Sequence, residues 1–162
     1  MSMLTTLIDR LARMLFILGV LAGILMTVLI FTSTLLRYLI GHPIGFSDEL
    51  AGLMFVTLAF TTIPHVLNQN RHIGLDLFTG MLSHTAQLYV QWLAALIFIA
   101  FALILAWESW QFMTFSHQIS ARSDISGLLL WPWMAIMPFS MVLTILIQLK
   151  NTFNQSTRET PL

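Results

Sequence analysis

The sequence predicts an all-α integral membrane protein with four transmembrane helices, and three observations carry that prediction. Of 162 residues, 57% are hydrophobic and 9% charged, with a mean hydropathy of +0.85; an average soluble domain carries about 25% charged residues. The seven basic and seven acidic residues fall in clusters, and the uncharged runs between them are long enough to cross a hydrocarbon core of about 30 Å. Helix breakers and interface residues collect where those runs end. One membrane domain over 1–162 is expected, with spans at about 14–36, 48–67, 88–110 and 128–149 and a polar tail at 150–162. Balanced charge leaves no basic footprint for nucleic acid. Zero cysteines exclude disulfides, thiolate metal sites, iron–sulfur clusters and covalent haem.

The first run, 14–36, gives about 35 Å of helix. It is far longer than the apolar region of a signal peptide and is expected to stay as an anchor. Gly19, Gly23, Thr27, Ile30, Thr34 and Arg37 fall within about 80° on a helical wheel. Small and polar, this stripe predicts a helix-packing face, since small residues let helices approach closely in lipid. Arg37 and Tyr38 close the run, where a cation and an amphipathic ring favour the membrane boundary.

Gly41, Pro43 and Gly45 then reverse the chain. Ser47 reads as a helix N-cap, and Asp48 and Glu49 occupy the first turn, where carboxylates meet the positive end of the helix dipole. An ion pair between Arg37 and Asp48 or Glu49 is expected across this hairpin. The plainer reading is that these charges only mark two membrane boundaries. In the second run Thr57 and Thr61 share a face, and Pro64 is expected to kink or end the helix by displacing the Phe60 carbonyl. Asn68 to His72 mark the exit into water.

Residues 73–87 place Leu75, Phe78 and Leu82 opposite Asp76, Ser83 and His84. Either a short amphipathic segment in the interface or an extension of the third helix fits this pattern. Along the third span Gln91, Ala95, Ala102, Ala106 and Ser109 form another small packing face. Glu108, between Trp107 and Trp110, is expected at headgroup level. His117, Arg122 and Asp124 lie in the next loop. The fourth span opens with Trp131-Pro132-Trp133, where proline is tolerated, and Pro138 is expected to bend it. Trp107, Trp110, Trp131 and Trp133 would then share one membrane surface. Five basic residues (Arg10, Arg13, Arg71, Lys150, Arg158) lie on the side of the termini and two (Arg37, Arg122) on the other. That bias predicts cytoplasmic termini.

Intramembrane chemistry needs ionisable groups at depth, and the expected spans hold none near their middles. A proton-coupled exporter of four helices would need an acid inside the first helix, which has none. Of the histidines only His65 approaches the depth a haem ligand requires. No phosphate loop or nucleophilic grouping can be assembled, so no enzymatic activity is expected. A second charged element, Asn70 to Asp76 with Arg71 and His72, lies on the opposite side of the membrane from the hairpin.

Arg37-Tyr38, then Ile44, Phe46, Ser47, Asp48, Glu49 and Leu50, followed by Arg71, His72, Ile73 and Asp76, resemble the small membrane subunit, DctQ type, of tripartite ATP-independent periplasmic (TRAP) transporters. Pro132-Trp133 and Pro138 resemble that family's closing segment. Phe46 and Asp48 stand where the family pattern has Trp and Glu. The resemblance runs from the first helix through Lys150. It implies sodium-coupled uptake of an organic acid, such as a C4-dicarboxylate or sialic acid, across a bacterial inner membrane. It further implies a separate large membrane subunit holding the substrate and sodium sites, a periplasmic substrate-binding protein, and no cofactor in this subunit. Contact with those partners is expected at Arg37, Tyr38, Ser47, Asp48, Glu49, Arg71, His72 and Asp76. The rival reading is a haem- or quinone-associated membrane anchor of a respiratory complex.

Overall fold

A computed structural model describes residues 3–69 and 84–156, and among them four helices are long and apolar enough to cross a membrane. Helix α1 is Met3–Ile40, α2 is Ser47–Gln69 and α3 is His84–Gln118. The fourth span is jointed: α4, Trp131–Met134, leads into α5, Ile136–Ser156. The all-helical membrane class is as predicted. Of the segment 73–87, residues 84–87 belong to α3 and the remainder lies outside the described residues.

The helices pack as an open row, α1 on α2, α2 on α5 and α5 on α3, with α3 outboard and sharing no substantial face with α1 or α2. Helix α5 therefore supplies much of the core through Ser140, Met141, Leu143, Thr144 and Ile147, all buried. Helix α1 meets its neighbours along Ile8, Ala12, Gly19, Ala22 and Ser33. Their spacings of 4, 7, 3 and 11 fit a register that advances alternately by four and three residues, the period at which two helices stay in contact by winding gently around each other. The predicted stripe shares Gly19 with this seam and leaves it after Gly23, because it takes two successive steps of four. Gly23 is half-buried, whereas Thr27, Ile30, Thr34 and Arg37 are exposed. On α3 the seam is Ala95, Ala102, Ser109 and Ser116, one residue in seven and all small. Ala95 and Ala102 lie where the sequence placed them, and Ala106 is half-buried beside the seam.

Pro64 does not end α2, which continues to Gln69. Lacking an N–H, Pro64 cannot pair with the Phe60 carbonyl, and Ser140 Oγ of α5 donates to that oxygen instead. Pro138 cannot pair with the Met134 carbonyl, and the fourth span is divided at Ala135, whose dihedrals stay helical. Helix α3 continues ten residues beyond Glu108, to Gln118, so Glu108 lies well inside the helix and not at its end.

Candidate functional site

The hairpin between α1 and α2 is tied down by hydroxyls and a carboxylate. Ser47 opens α2, but the first α-helical bond runs from Leu50 N to the Phe46 carbonyl, 3.1 Å. Phe46 thus holds the cap position, and the Ser47 hydroxyl is free to reach across to Ser33 Oγ on α1, 2.9 Å and buried. The expected N-cap is an interhelical bond. Ser47 Oγ also lies 3.4 Å from Asp48 Oδ1.

Glu49 takes its partners from the chain beyond α3. One of its oxygens accepts from Ile125 N at 2.9 Å. The other accepts from Ser126 N and Ser126 Oγ, each at 3.0 Å, and from Ser123 Oγ. All four donors lie in the loop joining α3 to α4. That loop is a small hairpin: Arg122 pairs with Leu129 in antiparallel fashion, Ser123 N bonds to Leu128 O at 2.9 Å and Leu130 N to Ala121 O at 3.0 Å. Gly127, at φ +65°, supplies the left-handed turn residue that a side chain would strain. Backbone N–H groups and serine hydroxyls converge on one point, and a carboxylate, which only accepts, fills it.

The predicted Arg37 ion pair does not form. Arg37 is exposed and without an ionic partner among the described residues, and Tyr38 beside it is 83% exposed. Both lie past the Ser33–Ser47 bond, where the helix projects beyond its neighbour. The ion pair the described residues hold is at the opposite end. Lys150 Nζ of α5 meets Asp9 Oδ1 of α1 at 2.5 Å, Asn68 Nδ2 of α2 donates to the same oxygen at 3.0 Å, and Lys150 also donates to Asn68 Oδ1 at 3.1 Å. Three helices are pinned there by three polar side chains. Arg71, His72 and Asp76 lie outside the described residues. His65 stacks on Phe16 with ring centroids 4.4 Å apart and meets Gln69 Nε2 at 2.8 Å. No group of three or more metal-ligating side chains occurs among the described residues.

Sequence reasoning missed Ser123, Ser126, Ser140 and the Asp9–Asn68–Lys150 cluster. For the cluster a signal existed, since all three are polar residues at ends that alternating spans bring to one side. For the serines there was none, because each bonds to a partner more than seventy positions away.

The family model for the DctQ component of tripartite ATP-independent periplasmic transporters matches residues 26–158. A protein of Haemophilus influenzae that carries the name of a TRAP transporter small permease protein is 24% identical over 104 residues, 64% of this chain and 63% of its own length. The match thus spans less than two thirds of that relative. No solved structure matches. The anchor of a respiratory complex finds no support in these matches.

Proposed function

The chain belongs to the DctQ component of the tripartite ATP-independent periplasmic transporters, and on that premise we propose that it is the small permease subunit of a sodium-coupled importer of an organic acid in a bacterial inner membrane. The observation that carries this reading is the family match, which runs from Met26 to Arg158 and includes both halves of the Glu49 tie. The subunit itself performs no catalysis. It scaffolds a large membrane subunit that holds the substrate and sodium sites, and it helps receive a periplasmic substrate-binding protein. An open row of helices suits a scaffold, because α1 and α3 keep long apolar sides for other chains. The hairpin residues Arg37, Tyr38, Ser47, Asp48 and Glu49 serve the side facing the binding protein, and Arg71, His72 and Asp76 serve the other. A C4-dicarboxylate or a carboxylated sugar of the sialic-acid kind is the substrate class.

Co-expression with a TRAP large membrane subunit from the same genome, followed by purification on a tag carried by this chain alone, tests the reading. A stable complex is expected. In vesicles with its binding protein, that complex takes up labelled succinate or labelled sialic acid when sodium is present outside. Failure to co-purify together with no uptake of either compound defeats the proposal, and a Soret band in the purified chain would reinstate the haem anchor.

A further inference from the structure

Glu108 occupies a depth at which a carboxylate is seldom left alone. The register of α3 against the fourth span is fixed by Ser116 Oγ, 2.9 Å from Met134 Sδ, and by His117, whose ring meets Trp131 edge-on at 5.2 Å. At 1.5 Å per residue, Glu108 lies about 12 Å from the Ser116 level, and Lys150 about 24 Å from Met134 in the same direction. Glu108 is therefore midway between the two polar ends of the row. On α2 the distance from Glu49 to Asn68, about 28 Å, matches a hydrocarbon core of about 30 Å. A membrane boundary at the Glu108 level would lie only about 12 Å from the Lys150 tie, too little for a bilayer between the two.

At this depth Glu108 is exposed, with no hydrogen bond or ion pair among the described residues. It lies about 100° around α3 from the Ala102–Ser109 seam, in line with Ile97, Phe101, Ile104, Phe112 and Phe115. All five are exposed apolar side chains. Lipid solvates such a stripe well but leaves a carboxylate in its centre at high cost, so intramembrane acids face other protein and pair with it.

We infer that this side of α3 is the surface on which the large membrane subunit packs, and that Glu108 meets a cationic or hydrogen-bond-donating side chain of that subunit within the bilayer. The inference rests on the proposed role as a small permease subunit and adds the surface and its chemistry. Charge complementarity selects the occupant: a second copy of this chain would bring a second carboxylate to the same apolar stripe, and lipid tails would bring no donor.

Two arms test it. In nanodiscs holding the full chain alone, a nitroxide on Glu108→Cys is expected to show the high oxygen and low aqueous-nickel accessibility of mid-bilayer; an aqueous profile overturns the depth assignment and the inference with it. In the co-expressed complex, a photo-crosslinking residue at Phe101 or Phe112 is expected to capture the large subunit, and one at Leu103, on the other flank of the seam, is not. Glu108→Leu is expected to lower recovery of the large subunit at least about tenfold while raising the melting temperature of the isolated chain. Equal capture from Leu103, capture of a second copy of this chain, or undiminished recovery with Glu108→Leu each overturns the inference. If the wild-type chain fails to recover the large subunit at all, the functional reading has failed, and the inference falls with it; the nitroxide result then still locates the carboxylate.

Discussion

A methyl group added at Gly19 would overlap the Thr61 hydroxyl, with Thr62 Cγ2 at 3.3 Å and the Leu58 carbonyl at 3.5 Å. Thr61 cannot swing aside cheaply, because it is β-branched and its hydroxyl is bonded to Thr57 O at 2.6 Å. At Gly23 the nearest atom is Leu58 Cδ2, 3.2 Å away, the end of a flexible side chain. Gly19→Ala is therefore expected to destabilise the chain by about 1–3 kcal/mol and Gly23→Ala by clearly less, read as melting temperatures in one detergent. Ser140 offers a sharper test. Ser140→Ala strands the carbonyl freed by Pro64, at a cost of roughly 0.6–2 kcal/mol. In a Pro64→Ala background residue 64 regains its N–H, the Phe60 oxygen has its own helical donor, and the same serine substitution should cost almost nothing. Additive losses in the double-mutant cycle would separate the two residues. Glu49→Gln sets an amide N–H₂ against a ring of donors; amide exchange at Ile125 and Ser126 should accelerate by about tenfold. Arg37→Ala should leave those amides unchanged, because Arg37 forms no hydrogen bond or ion pair with the loop among the described residues. Here sequence and structure part for a definite reason. Pro64 announces that a carbonyl is freed and Glu49 that a charge needs a partner, but neither says which distant residue answers.

Among the elements, helix existence was legible from the uncharged runs because lipid forces every backbone group to be paired within its own segment. Helix neighbours were less so. The α3 seam was partly readable, since Ala95, Ala102 and Ser109 are small residues among large ones and in lipid that contrast marks a packing face. The α1 stripe misled after Gly23, because small residues on an outer face look the same on a wheel as small residues in a contact. Helix α3 is held to the row through α5 and the short α4, which makes its seam a sensitive place. Ala102, 2% exposed, leaves no room for an aromatic ring. Ala102→Phe is expected to release α3 from α5, so that a cysteine pair placed across the two helices crosslinks several-fold less. Leu103→Phe, one position on and 54% exposed, should crosslink like the parent. Equal yields from both would mean that the seam contributes little to holding α3.

For the whole molecule, the two polar ties define its ends without reference to a bilayer. Asp9, Asn68 and Lys150 meet at one end, and Glu49 meets Ile125 and Ser126 at the other, with helix of about bilayer thickness between them. Charge gives an expectation of which end faces the cytoplasm. Among the described residues Arg10, Arg13 and Lys150 belong to the end with the termini, against Arg37 and Arg122 at the other, and basic residues are favoured on the cytoplasmic side. The chain has no native cysteine, so single cysteines report cleanly. Gly41 is exposed with open space around its Cα, at φ +78°, and Ser120 is exposed at the start of the loop joining α3 to α4. Cysteines at either position should react with an impermeant maleimide added to whole spheroplasts, and a cysteine at Asn154 should react only after the membrane is opened. The Glu49-tied loop then faces the periplasm, where a soluble binding protein could reach it. The reverse labelling pattern would turn the row over and assign that loop to the cytoplasm, where no periplasmic partner could dock on it.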